Sequence, residues 1–212
     1  MFIFWVLYTL IAIPLLLVYP TIVIGKKNFN KKKNYIVIAN HQSNMDPIMM
    51  DFYLNKRLRY IAKQELWKGK EKSFLFETVL GCIPVDRSKG LTLTATKQVY
   101  ALLKNNESLG LFPEGTRHHE EGEDMAVKNG ACMFAIKTKT PLLPCYILKK
   151  PKPFRFNKII VGEPFELNDF YDKKLDKDTL NEASKVLIEK ITSLKINYEK
   201  EIEEKKSKKQ AK

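Results

Sequence analysis

The run Tyr35-Ile36-Val37-Ile38-Ala39 is apolar throughout and β-branched at its centre, and Asn40 closes it. An uninterrupted run of that length reads as a strand buried on both faces, which requires covering layers on either side. Similar short strands are expected near 59–62, 81–85, 109–112 and 143–148. Helical stretches are expected between them, near 47–55, 91–105 and 126–138. This alternation predicts an α/β fold with a mostly parallel sheet flanked by helices. Leu91, Ala95, Val99 and Leu102 recur at helical spacing and read as a core stripe. Pro151 and Pro153 mark a loop feeding one more strand at Ile159-Ile160-Val161. From Thr179, the spacing of Leu180, Ala183, Leu187, Ile191, Leu194 and Tyr198 predicts an amphipathic helix. No repeat of fixed period is present. The expected organisation is an apolar segment over 1–25, one domain over 26–200 and a Lys-rich tail over 201–212 that reads as disordered.

Two polar strings follow apolar runs. Asn40-His41-Gln42-Ser43-Asn44-Met45-Asp46 leaves the first strand, and Pro47 follows Asp46. Asp46 then reads as the N-cap of a helix whose first residue is Pro47. His41 lies where ligands bind in open α/β sheets, at the carboxyl end of a strand. A carboxylate has about four acceptor sites, so Asp46 could cap the helix and also accept from one ring nitrogen of His41. That bond would fix the tautomer and set the other nitrogen up as a base. A plain cap beside a surface histidine satisfies the same spacing. In the second string, Phe112-Pro113-Glu114-Gly115-Thr116-Arg117, Gly115 permits close backbone approach and Arg117 offers a forked cation for a phosphate. A salt-bridged surface turn is the alternative.

Residues Met1 to Ile24 carry no charged side chain. As a helix, such a stretch could cross a hydrocarbon core of about 30 Å. Pro14 and Pro20 suggest a kinked span or a re-entrant helix pair. A cleaved signal is disfavoured, because no basic segment leads the apolar one and no small-x-small site precedes Lys26. Lys26, Lys27, Lys31, Lys32 and Lys33 follow at once. By the positive-inside rule they keep the rest of the chain cytoplasmic, which predicts a cell-membrane protein with its domain on the cytoplasmic side.

The chain carries 37 Lys and Arg against 24 Asp and Glu, a net charge of +13. Nucleic acid would also explain such a surplus, but no zinc-finger, RNP or helix-turn-helix signature is present, and no nucleic-acid partner is expected. Basic residues directly after an apolar segment point to an anionic membrane surface. The surplus could also attract an acidic carrier protein, or reflect an abundance of lysine alone. Cys82, Cys132 and Cys145 are odd in number and widely spaced, which argues against a disulfide framework and for buried thiols. Ser43 lacks the Gly-x-Ser-x-Gly elbow of a serine nucleophile. His118-His119-Glu120-Glu121-Gly122-Glu123-Asp124 fits no common zinc or calcium spacing, so no metal is expected.

Four strings in order resemble those of the 1-acylglycerol-3-phosphate acyltransferases of the glycerolipid acyltransferase family. Asn40, His41 and Asp46 match the first motif, and Gly81-Cys82-Ile83-Pro84-Val85-Asp86-Arg87 the second. Phe112 to Arg117 match the third until His118 replaces its usual serine, and Leu143-Pro144 match the fourth, an apolar-Pro pair that comes ahead of a strand, here Cys145-Tyr146-Ile147-Leu148. The resemblance covers roughly residues 35–150. It implies acyl transfer without an acyl-enzyme, from acyl-CoA or an acyl-carrier-protein thioester to the sn-2 hydroxyl of lysophosphatidic acid, with no cofactor. His41 would be the general base and Asp46 its orienting carboxylate. Arg87, Glu114, Gly115, Thr116 and Arg117 would form the glycerol-phosphate pocket. Lys128, where a helix is expected to begin, could approach the phosphate or be a solvated lysine. The same chemistry on glycerol 3-phosphate or another lysolipid, or a silent membrane adaptor, are the rival functions.

Overall fold

Ile36 and Ile38 pack into one core and Val37 and Ala39 into another, all four fully buried. That alternation is the strand period, and two cores mean that both faces of the sheet are covered. The computed structural model describes residues 6, 10, 14–63, 81–85, 91–113 and 129–210. Seven strands, β1 (Thr21–Ile24), β2 (Ile36–Ala39), β3 (Leu58–Lys63), β4 (Ile83–Val85), β5 (Ser108–Leu111), β6 (Leu142–Ile147) and β7 (Asn157–Val161), form one sheet in the order β1-β7-β6-β2-β5-β3-β4. Every neighbouring pair is parallel except β6 and β7.

Helix α1 (Asp46–Leu54) buries Met49, Met50, Tyr53 and Leu54 against Val37, Ala39, Leu143 and Cys145 on one face. On the other face lie α2 (Leu93–Lys104), α3 (Gly130–Thr138) and the long α4 (Lys177–Gln210), which meet Ile36, Ile38, Leu109 and Leu142 through Val99, Phe134, Leu187 and Ile191. The chain leaves β2 over the first face and returns from β5 to β6 over the second. The crossovers therefore diverge between β2 and β5, and a crevice at the carboxyl edge is expected there.

The expected α/β layering is observed, with four differences. Thr21–Ile24, assigned to the apolar anchor, is an edge strand paired from Thr21↔Asn157 to Ile24↔Ile160. Its β-branched residues suit a pleated edge, and Gly25 at φ 79 turns the chain out where a Cβ would sit 2.1 Å from Val161 O. Among the described residues, no helix is long and apolar enough to cross a membrane. Leu91 precedes α2 and is exposed, because Thr92 caps the helix by accepting from Ala95 N. Pro144 lies inside β6 rather than ahead of it. The Lys-rich tail is helical as far as Gln210. Extending an already packed helix needs no new nucleus, and Glu and Lys are good helix formers that pair at i,i+4, as Glu201 and Lys205 do at 3.5 Å.

Candidate active site

The loop from β2 to α1 is drawn in around one oxygen. Asp46 Oδ2 accepts from Gln42 N at 2.6 Å and Ser43 N at 2.7 Å, and lies 2.9 Å from His41 Nδ1. Asp46 is fully buried and the His41 side chain is 13% exposed. Asp46 was expected to be the helix cap, but α1 begins at Asp46 itself and Met45 takes the cap position without a side-chain bond. The carboxylate turns back into the loop because two amides and an imidazole there need an acceptor. Its charge still sits in the first helical turn, where the helix dipole favours it. In the tautomer in which Nδ1–H donates to Oδ2, the ring lone pair lies on Nε2.

Asn40 fixes the start of this loop. Its Nδ2 donates to Ile147 O at 2.9 Å, and its Oδ1 accepts from Ile147 N at 2.7 Å. The buried amide thus continues the β2–β6 ladder one step past Ala39↔Cys145 and holds His41 at the sheet edge. Sequence reasoning placed Asn40 in a motif without giving it a task. A polar residue ending a buried strand needs a partner, and that was the available signal.

Phe112 brings the second string to the first. Its ring stacks on His41 with centroids 4.2 Å apart and planes inclined by 20°. Tyr60 also lies nearly parallel to Phe112, with centroids 5.9 Å apart and planes inclined by 7°. The Tyr60 hydroxyl is 3.1 Å from Pro47 O and 3.2 Å from Asp51 Oδ1, and Asp51 Oδ1 also accepts from Leu58 N at 3.2 Å. Burial pushes the Asp51 carboxyl well above the usual carboxylate range, against the opposing pull of these bonds and of Arg57. Gly110 makes room for the stack: a Cβ there would lie 2.2 Å from Tyr60 Cε1. Sequence reasoning missed both aromatic contacts.

The profile of the Acyltransferase family matches residues 21–148, well over half of the sequence. The chain belongs to the Acyltransferase family. It is 32% identical over 159 residues to the 1-acyl-sn-glycerol-3-phosphate acyltransferase of Bacillus subtilis, covering 70% of this chain and 75% of that protein. With the enzyme of the same name from Borreliella burgdorferi it shares 33% identity over 125 residues. That match takes in 58% of this chain and spans about half, 49%, of the Borreliella protein. The fold matches the crystal structure of the 1-acyl-sn-glycerophosphate (LPA) acyltransferase PlsC from Thermotoga maritima, with a TM-score of 0.61 and 27% identity over 82% of this chain and 72% of that one.

Within this acyltransferase-family chain, the structure brings His41 and Asp46 together and adds Asn40 and Phe112. Arg87, Glu114, Gly115, Thr116, Arg117 and Lys128 lie outside the described residues. Phe112 and Pro113 lead towards Glu114 from the edge that holds His41. The cysteines are free and buried. Burial raises all three thiols, Cys82 to about 12, so none is poised to form the thiolate a nucleophile needs. Among the described residues no group of His, Cys, Asp and Glu side chains could hold a metal ion.

Proposed function

We propose that the chain is a 1-acyl-sn-glycerol-3-phosphate acyltransferase, moving a fatty acyl group from a thioester to the sn-2 hydroxyl of lysophosphatidic acid. The 2.9 Å contact between His41 Nδ1 and Asp46 Oδ2 carries this reading, because it ties Nδ1 to the carboxylate and so assigns the role of base to Nε2, at the carboxyl edge of the sheet. Family membership and the names of the relatives support the choice of acceptor. Nε2 takes the hydroxyl proton as the oxygen attacks the thioester carbonyl. The C–S bond then breaks, and the departing sulfur takes that proton back from the imidazolium. Phosphatidic acid and a free thiol, of coenzyme A or acyl carrier protein, are the products. Asp46 stabilises the imidazolium between the two transfers. Arg87 and Arg117 are assigned to the phosphate by charge-assisted bonds, with Glu114, Gly115, Thr116 and Lys128 around them. The protein is placed at the cell membrane with this site on the cytoplasmic side, a reading supported by the uncharged N-terminal stretch and the lysines after it.

The test is acyl transfer by the full chain and its His41→Ala and Asp46→Asn variants. Acyl-CoA and acyl-carrier-protein donors are run separately, and glycerol 3-phosphate and a lysolipid without a free phosphate serve as competing acceptors. Loss of roughly 10²–10⁴-fold in both variants, with lysophosphatidic acid preferred, is expected. Preference for another acceptor would keep the chemistry and change the substrate. No transfer by the full chain with any donor and acceptor would leave a non-catalytic adaptor, and undiminished transfer by His41→Ala would remove His41 as the base.

A further inference from the structure

The connection between β6 and β7, residues 148–156, presents apolar surface to solvent. Phe154 and Phe156 are 78% and 77% exposed, more than any other large apolar side chain among the described residues. These rings are held out by a built loop. Phe154 sits at φ 55, in the left-handed region that a bulky aromatic rarely adopts. The buried Asn157 braces it: Oδ1 accepts from Lys152 N at 3.0 Å, and Nδ2 donates to Arg155 O at 3.0 Å and Lys152 O at 3.3 Å. Phe154 N donates to Val18 O at 2.5 Å and Asn157 N to Pro20 O at 2.8 Å. The loop is thus laced to the apolar N-terminal stretch, whose Leu16 and Leu17 are also exposed.

The charges around the rings are of one sign. Lys149, Lys150, Lys152 and Arg155 are exposed, and the sequence has no Asp or Glu between Asp124 and Glu163. Position gives the patch a purpose. β6 runs parallel to β2, so its carboxyl end lies on the edge that holds His41, and Asn40 grips Ile147 just before the loop begins. Exposed aromatics flanked by cations without carboxylates match the interface of an anionic bilayer, where rings enter the headgroup zone and cations meet phosphates.

We propose that residues 149–156 form a bilayer-docking loop, with Phe154 and Phe156 entering an anionic membrane surface and Lys149, Lys150, Lys152 and Arg155 engaging its headgroups. The carboxyl edge of the sheet then faces the lipid. The docking surface stands on the loop itself; that it delivers a lipid acceptor to His41 rests on the acyltransferase reading.

The experiment titrates the full chain and its Phe154→Ser/Phe156→Ser variant with phosphatidylcholine vesicles, with and without phosphatidylglycerol, and follows cosedimentation. Partition of the double variant into anionic vesicles should weaken about tenfold while its unfolding temperature stays unchanged. Replacing the four cations by Gln should remove most of the preference for anionic over neutral vesicles. Because the N-terminal stretch also contributes, the loop is read directly through Phe154→Trp, whose emission, taken against the parent with Trp5 and Trp67, should move to shorter wavelength on anionic vesicles. Equal partition of parent and double variant, or no spectral shift, would overturn the docking loop. Acyl transfer in neutral detergent micelles, expected to be equal for parent and double variant, separates the two readings. Activity there with equal partition sinks only the loop, whereas absent activity with unequal partition sinks only the acyltransferase.

Discussion

Among the described residues, Phe112 brings the second motif string into contact with the first. Its ring stacks on His41 and lies nearly parallel to Tyr60, and the stack fixes the plane of the imidazole while Asp46 fixes its rotation. Phe112→Leu keeps an apolar side chain of related volume and removes both ring contacts, each worth about 0.5–1.5 kcal/mol. If the stack orients the base, kcat for acyl transfer should fall about tenfold, while KM for the acceptor and the unfolding temperature move little. Steady-state kinetics beside thermal unfolding decides it, and an unchanged kcat would reduce the stack to packing. The His41–Asp46 contact was legible in the sequence because both residues belong to one short loop, where few conformations are open. Phe112 over His41 was not, since that contact exists only once β5 lies beside β2, an outcome of the whole sheet.

At the scale of elements, Asp51 near the end of α1 fastens that helix to β3 by accepting from Leu58 N and the Tyr60 hydroxyl. Burial raises its pKa well above the carboxylate range, so the folded chain holds this proton more tightly than the unfolded chain. The resulting stability is fully present below the unfolded value, near pH 4, and is lost as pH rises through the raised folded value. Asp51→Asn keeps an acceptor oxygen and cannot ionise. Its unfolding free energy relative to the parent should therefore rise with pH from about 4 upwards, read by urea denaturation at a series of pH values. Parallel curves would show that the carboxyl is not shifted. Elements of this kind were legible wherever an apolar run was framed by polar turns, as β2, β5 and β6 are. β1 was hidden because Thr21–Ile24 continues an uncharged stretch and only β7, far along the chain, makes it a strand. The end of α4 was hidden because Lys-rich composition resembles disorder, although its Glu–Lys spacing carries a helix onward from a packed start.

Across the whole molecule, chemistry and charge meet at one end of the sheet. The loops after β2 and β6, the end of β5 and the apolar stretch before β1 all open at the carboxyl edge. A net charge of +13 makes approach to an anionic bilayer favourable, and the cations of residues 149–155 give that charge somewhere to act at this edge. Salt tests this directly. The Debye length falls from about 10 Å at 0.1 M to about 3 Å at 1 M, which removes most of the pull of an exposed lysine on a headgroup. Transfer to lysophosphatidic acid on phosphatidylglycerol-containing vesicles should then need about tenfold more lipid for half-maximal rate at 1 M salt, with the maximal rate retained. In neutral detergent micelles the same change of salt should alter the half-saturating concentration by less than about twofold, because the only surface charge there to be screened is that of the dilute acceptor itself. If vesicles and micelles respond alike, the positive charge is not a membrane device, and the surplus of lysine reflects composition alone.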